Sequence, residues 1–120
     1  MRRGALSGGA LIVLMVALGA RPAAALEAVL QGLDKVTARV STFAATIGLP
    51  VRFGTLEVVV DTCVKRPPEE PPETAAFLDI YEIKPDQPRQ KIFSGWMFAL
   101  SPGLNPLEHP VYDVWLKDCR

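Results

Sequence analysis

The sequence predicts an all-β fold, a small antiparallel β-sandwich or barrel with one disulfide, preceded by a signal peptide. Short extended runs rich in valine, threonine and aromatic residues are separated by turns that contain glycine or proline, and no long helical pattern lies between them. The chain contains two cysteines, and an apolar segment opens it. We therefore predict a signal peptide over residues 1–25 and a single β-rich domain over residues 26–120.

The N-terminal segment has the three parts of a secretory signal. Two arginines supply the positive charge, residues 10–20 (ALIVLMVALGA) form the apolar core, and small residues follow up to Ala25. We expect cleavage between Ala25 and Leu26, a periplasmic location, and no stable membrane anchor after cleavage. An uncleaved anchor is the alternative, but the apolar stretch is shorter than the roughly 20 residues that span a bilayer.

The charge balance of the predicted mature domain limits its partners. Residues 1–25 contain three of the 13 basic residues, so ten remain beside all 13 acidic residues. A nucleic-acid partner would require a basic stripe to neutralise its phosphates. We therefore expect no nucleic-acid partner and no adhesion to anionic lipid.

Cys63 and Cys119 are the two cysteines of the chain, and both lie in the predicted mature domain. In an oxidising compartment an even cysteine count predicts a disulfide, which would stabilise so small a domain. A redox or metal pair is the alternative, but there is no C-x-x-C motif, and His109 is the one histidine. We expect a structural disulfide and no metal or cofactor.

Changes in the spacing of apolar residues along the chain predict the first secondary-structure elements of the domain. Helical spacing over residues 26–33 predicts one or two amphipathic turns at the start of the domain. Alternation of apolar and polar residues then predicts a strand from Lys35 to Ile47. A glycine and a proline at positions 48 and 50 predict a turn, and residues 51–53 are predicted to be extended.

Four longer strands are predicted over residues 56–65, 74–84, 90–98 and 111–119. Strict alternation in the first of these places Cys63 on the same face as Asp61 and opposite Val60. Mixed residue types on that second face indicate partial burial on both sides, as in a sandwich or barrel wall.

Two proline-rich segments interrupt the strands. Residues 66–73 (RPPEEPPE) contain four prolines and cannot donate a regular ladder of hydrogen bonds, which predicts a polyproline-like loop. This loop is interpreted either as a recognition strip or as a stiff acidic spacer. Residues 101–110 are predicted to be irregular and, because they include two leucines, to pack onto the domain.

Glu108, His109 and Asp113 form the one candidate group for acid–base chemistry. A histidine titrates near neutral pH, and a neighbouring carboxylate can tune the proton affinity of the imidazole. The alternative role for His109 is to fix an irregular loop by hydrogen bonds. A second alternative is a glycosidase-type pair of carboxylates, drawn from four aspartates on separate predicted strands. These aspartates are Asp61, Asp79, Asp113 and Asp118.

Aromatic residues concentrate in the last third of the chain, where they either fill the core or form an exposed contact patch. An exposed tryptophan beside a stiff acidic loop is typical of a partner surface, because prolines lower the ordering cost of a contact. The predicted partner surface consists of Glu69, Glu70, Glu73, Trp96, Phe98 and Trp115.

Four segments carry a resemblance to a proteobacterial envelope family known as domain of unknown function 2155. They are GLDKVTARV (32–40), KRPPEEPPETAAFLDI (65–80), FSGWMF (93–98) and EHPVYDVWLKDC (108–119). The resemblance spans nearly the whole mature domain, and both cysteines fall where that family has them. It implies no established activity. The family's genes often lie beside the gene for a small accessory subunit of respiratory complex I, which implies a link to the assembly of a membrane complex.

Two functional hypotheses follow. The leading one is a periplasmic, non-enzymatic β-domain that binds another envelope protein or polymer, as an accessory or assembly factor for a membrane complex. The second is a small envelope hydrolase that acts on cell-wall glycans or esters, which would require Glu108, His109 and Asp113 to converge in a pocket.

Overall fold

The computed structural model describes residues 25–120, which form seven strands joined by turns and loops. The predicted signal segment lies outside the described residues except for Ala25. Within the described range, no helix has the length and hydropathy needed to cross a membrane. The strands are β1 (Glu27–Asp34), β2 (Arg39–Thr46), β3 (Val51–Phe53), β4 (Leu56–Lys65), β5 (Thr74–Glu82), β6 (Gln90–Phe98) and β7 (Tyr112–Cys119).

The strands form two antiparallel sheets. Sheet A has the order β2-β1-β7, and sheet B has the order β3-β4-β5-β6. The first and last strands of the domain are therefore neighbours, while the middle of the chain forms the opposite sheet. The predicted all-β antiparallel fold is confirmed, and its form is a sandwich of two separate sheets.

The core consists of alternate residues from the facing strands. Leu30 and Leu116 of sheet A and Val60, Leu78 and Ile80 of sheet B are all fully or almost fully buried. Alternation with period two places these side chains on the inward faces and the polar residues between them on the outer faces. Burial of each such side chain contributes about 1.5–3 kcal/mol relative to exposure.

The segment 101–110 packs onto the core with only one of its two leucines. Leu107 is 2% exposed and joins the core cluster, whereas Leu104 is 68% exposed. The predicted packing of this irregular segment onto the domain is therefore confirmed, and it is made through Leu107.

The helical turns predicted over residues 26–33 are wrong, because this segment is the central strand of sheet A. β1 pairs with β2 on one side and with β7 on the other. An isolated turn would carry the cost of helix nucleation, whereas a central strand has hydrogen-bond partners along both edges. The tertiary pairing thus overrides the local spacing of leucines.

The strand predicted from Lys35 begins four residues later, at Arg39. The carboxylate of Asp34 accepts hydrogen bonds from the backbone N–H groups of Val36 and Thr37, at 2.9 and 3.3 Å. Ala38 has a positive φ of 57°. An aspartate that binds the backbone two and three residues further on favours a turn over a strand, and the alternation of residues 35–38 is coincidental.

A β-bulge in β4 reverses its side-chain alternation. Val60 pairs with Leu78 and Thr62 pairs with Phe77, so Asp61 is the extra residue. Cys63 consequently turns into the core, where it is 3% exposed. The face predicted for Cys63 by strict alternation is therefore wrong, because one inserted residue moves every later side chain to the other face.

A second bulge has the same effect in β7. Leu30 pairs with Leu116 and Val29 pairs with Asp118, which leaves Lys117 as the extra residue and turns Cys119 inward. Cys63 of sheet B and Cys119 of sheet A form a disulfide with a Cα–Cα distance of 5.7 Å. The predicted disulfide is confirmed, and it crosslinks the two sheets.

A glycine in β1 makes room for an aromatic cluster. The rings of Phe43 and Phe53 stack with centroids 5.3 Å apart, and Tyr112 meets Phe53 edge to face at 5.4 Å. A Cβ atom at Gly32 would lie 2.5 Å from the Cζ atom of Phe53. Glycine is therefore required here by the close approach of the ring.

The disulfide prediction can be tested by removing both cysteines. A Cys63→Ser, Cys119→Ser variant is expected to lose about 4 kcal/mol of unfolding free energy, because the bond closes a loop across 56 positions. Urea denaturation measures the loss, and reduced wild-type protein is the control. Free thiols in the native protein, or an unchanged midpoint after reduction, would contradict the expectation.

The packing at Gly32 gives a second prediction. Gly32→Ala is expected to lower the free energy of unfolding by about 1–3 kcal/mol, because the new methyl group displaces the Phe53 ring. Gly103→Ala is the matched control, since a Cβ atom there meets no atom within 4 Å. Equal melting temperatures of the two variants would show that the ring moves without cost.

Candidate functional site

The structure separates the predicted functional residues into three places. Glu108 and His109 line an open pocket of about 500 Å³ at one end of the sandwich. Trp96 and Phe98 lie on the outer face of sheet B, beside the loop that carries the three glutamates. Trp115 and Asp113 lie on the outer face of sheet A. The predicted acid–base group and the predicted partner surface are thus each divided.

Hydrogen bonds fix the ring of His109 on both of its nitrogens. The backbone N–H groups of Val111 and Tyr112 donate to Nδ1 at 3.0 and 3.1 Å. Since Nδ1 accepts both bonds, the proton of the ring is assigned to Nε2, which donates to Glu82 Oε1 at 2.7 Å. The imidazole therefore holds the start of β7 against the end of β5.

Glu82 lies at an inward position of β5, where an apolar residue would continue the core row. Its second oxygen accepts a hydrogen bond from the Thr55 hydroxyl at 2.6 Å. Partial burial by itself raises the pKa of Glu82, but the hydrogen bonds from Thr55 and His109 outweigh it and hold the pKa below its ordinary value. The carboxylate is therefore ionised at neutral pH, and each of its two oxygens accepts a hydrogen bond.

The predicted group of Glu108, His109 and Asp113 does not converge. His109 binds Glu82 in place of either predicted carboxylate, Glu108 is exposed, and Asp113 points away on the outer face of sheet A. Glu82 and Thr55 were not among the residues predicted for this site. A charged residue on the apolar row of β5 was the signal that could have identified Glu82, since buried carboxylates require partners.

Two of the four candidate aspartates meet on the outer face of sheet B. The bulge at Asp61 places its carboxyl group close enough to Asp79 for each to shift the pKa of the other. Burial, together with the neighbouring Asp79 carboxyl group, raises the pKa of Asp61, while the hydrogen bond from Ser94 lowers the pKa of Asp79.

The outer face of sheet B carries an apolar row at the end nearest the disulfide. Trp96 is 41% exposed and packs edge to face on Phe77, with ring centroids 5.6 Å apart. In the neighbouring positions, Val64 of β4 and Phe98 of β6 flank Ala75 of β5. We call these five residues the Trp96 patch.

The proline-rich loop borders the Trp96 patch. It joins the end of β4 to the start of β5, and the N–H group of Arg66 donates to the carbonyl of Glu73 at 3.0 Å to close its base. Glu69 and Glu70 are exposed, and Glu73 is half-buried. Three carboxylates therefore lie on the loop that adjoins the Val64 and Ala75 end of the patch.

Trp115 lies on the opposite side of the sandwich. It pairs with Gln31 on the outer face of sheet A and is partly buried. The predicted partner surface is thus split between two faces that one flat contact cannot cover together. Among residues 25–120, no cluster of three or more histidine, cysteine or acidic side chains is placed to hold a metal ion.

The hydrogen bonds of Glu82 predict a specific pH dependence of stability. Because its folded-state pKa lies below the ordinary value of 4.5, ionised Glu82 stabilises the fold above pH 4.5, and this contribution is lost as the pH falls through the folded-state pKa. Glu82→Gln is expected to cost about 1–2 kcal/mol at pH 7, with the difference from wild type shrinking below pH 4.5.

Urea denaturation across a series of pH values measures this difference between variant and wild type. Glu108→Gln is the matched control, because its exposed side chain lines the same pocket without these hydrogen bonds. A Glu82→Gln deficit that stays constant from pH 7 to acidic pH would contradict the assignment.

Comparison with known proteins gives a family and no activity. A family model described as an uncharacterised protein conserved in bacteria (DUF2155) matches residues 28–119. An uncharacterised protein of Rickettsia prowazekii (strain Madrid E) is 30% identical over 87 residues, which cover 72% of this chain and 56% of the relative. The chain thus spans a little over half the length of that relative.

No solved structure matches the chain. The family model, by contrast, covers both cysteines and nearly the whole sandwich. The chain therefore belongs to the DUF2155 family.

Proposed function

We propose that this protein is an exported, periplasmic, non-enzymatic β-domain that binds another envelope protein or polymer through the Trp96 patch. The carrying observation is that Trp96 and Val64 are 41% and 45% exposed in one row with the half-buried Phe77 and Phe98. Large contiguous apolar areas on a small domain mark contact sites, and tryptophan is the residue type that most often dominates their binding energy.

The proline-rich loop supports a binding role for the same end of sheet B. Its prolines reduce the number of conformations that a contact would have to order, which lowers the entropic cost of binding. Glu69, Glu70 and Glu73 add negative charge beside the apolar patch. The fitting partner therefore offers an apolar pocket for Trp96 with lysine or arginine side chains at its rim.

The site around His109 supports a structural role in this proposal. Nδ1 accepts two backbone hydrogen bonds and Nε2–H donates to Glu82, so neither nitrogen is free to take a proton from a substrate. A hydrolase acting on cell-wall glycans or esters is the second candidate. The pocket beside Glu108 favours it, while the engagement of His109 makes it the weaker of the two.

Export is supported by two features on opposite sides of the predicted cleavage site. The sequence before Leu26 has the charge and apolar core of a secretory signal. The domain after it holds its sheets together with a disulfide, a bond that persists in oxidising compartments. A domain of this kind could serve a membrane complex as an accessory or assembly factor, with the Trp96 patch as its contact.

Capture from a crosslinked periplasmic extract tests the proposal with Trp96→Ala. Loss of a tryptophan that the partner would bury is expected to reduce recovery of the partner about tenfold or more. Leu49→Ala is the matched control, because Leu49 is 59% exposed and lies at the other edge of sheet B.

A Glu69, Glu70 and Glu73 triple alanine variant is expected to weaken capture most at low salt.

Two outcomes would overturn the proposal. One is full capture by Trp96→Ala when circular dichroism shows the variant folded. The other is turnover of purified cell-wall glycan by the wild-type domain that Glu108→Gln abolishes, which would favour the hydrolase.

A further inference from the structure

The strand β2 is an unprotected edge of sheet A. Its eight residues pair with β1 in an unbroken register. The N–H group of Ile47 donates to the carbonyl of Leu26 at 3.0 Å, so the odd-numbered residues of β2 direct their backbone groups toward β1. The backbone groups of Val40, Thr42 and Ala44 therefore point outward, and no described residue hydrogen-bonds them.

Every other edge of the described sandwich is protected. β3 has only three residues, and β6 is capped where the Asn105 side chain donates to the Trp96 carbonyl at 3.0 Å. β7 carries the bulge at Lys117, with charged neighbours along its length. Short strands, caps, bulges and charges are the devices by which proteins prevent edge pairing.

β2 lacks all of these devices. It contains no proline and no bulge, and its one charged residue is Arg39 at its first position. Three of its four outer-face side chains, Val40, Thr42 and Thr46, belong to the types that favour strands, and Val40 is 53% exposed. An eight-residue edge with free backbone groups and exposed β-forming side chains is a template for another strand.

We propose that β2 pairs with β2 of a second copy of this chain, antiparallel about a two-fold axis through Thr42, so that the two A sheets become one continuous sheet. In this register Thr42 faces the partner's Thr42, and Val40 faces the partner's Ala44. The outward backbone groups of all three residues then bond across the axis.

The charge distribution favours a second copy as the occupant. Arg39 would face the partner's Ala45, so the two arginines lie at opposite ends of the paired strands and do not repel each other. Opposed threonines on one sheet face are a favourable cross-strand pair. The contact is independent of the Trp96 patch, which lies on the other sheet.

Because an edge contact is small, the dimer is expected to be weak and to form at high micromolar to millimolar concentration.

Charge exchange at Thr42 tests this register directly. Thr42→Lys and Thr42→Glu each place like charges opposite one another across the axis, so each variant alone is expected to be monomeric. An equimolar mixture is expected to restore a dimer, since lysine then faces glutamate. Sedimentation equilibrium of the whole mature chain, up to millimolar concentration, measures the average mass.

Two further variants keep the test independent of folding. Gln31→Lys adds the same charge to the same outer face, one strand inside the edge, and is expected to dimerise like wild type. Thr42→Pro removes an outward N–H group without breaking a bond to β1, and is expected to be monomeric with an unchanged melting temperature.

A wild-type chain that stays monomeric at millimolar concentration overturns the proposal and leaves the edge to a strand of a different protein. A mixture of the two charge variants that stays monomeric, while wild type dimerises, also overturns it, because the dimer would then use another surface.

Discussion

The disulfide between Cys63 and Cys119 forms across the core because a β-bulge precedes each cysteine on its strand. Without the extra residues Asp61 and Lys117, strict alternation would turn both thiols outward, on opposite sides of the sandwich. With them, both thiols face inward at the same end of the molecule and come within bonding distance. Two local irregularities therefore make possible the disulfide that crosslinks the two sheets.

The position of β7 depends on this bond at one end and on His109 at the other. Val111 and Tyr112, where the strand begins, donate their backbone N–H groups to the histidine ring. Cys119, where the strand ends, is held by the disulfide. The strand that completes sheet A is thus fixed to sheet B at both ends, by Glu82 through His109 and by Cys63. His109 acts in this arrangement as a structural residue.

The same crosslinked end supports the surface that we assign to binding. The proline-rich loop begins three residues after Cys63, and the Trp96 patch lies across the adjoining ends of β4, β5 and β6. The bulge that turns Cys63 inward also turns Val64 outward, where it is 45% exposed and extends the apolar row. Packing of the interior and composition of the outer face are therefore coupled through one inserted residue.

Local sequence patterns were sufficient for the class of fold and for most strands, because side-chain alternation and turn residues act over a few positions. The bounds of β3, β4 and β6 follow from these patterns, and the even number of cysteines predicted the disulfide. They failed over residues 26–38, where pairing on both edges of β1 and the hydrogen bonds of Asp34 outweigh the spacing of apolar residues.

Tertiary structure alone decided which residues meet. Alternation cannot reveal a bulge, so the inward direction of both cysteines and the approach of Asp61 to Asp79 depend on how neighbouring strands align. Glu82 and His109 are 27 positions apart and meet because the ends of β5 and β7 lie together. The sequence by itself determined most of the strands and the capacity for a disulfide, since these depend on residue type and local spacing. The division of the predicted surface between two opposite faces was decided by the packing of the sheets, because only that packing determines which side of a strand faces the solvent.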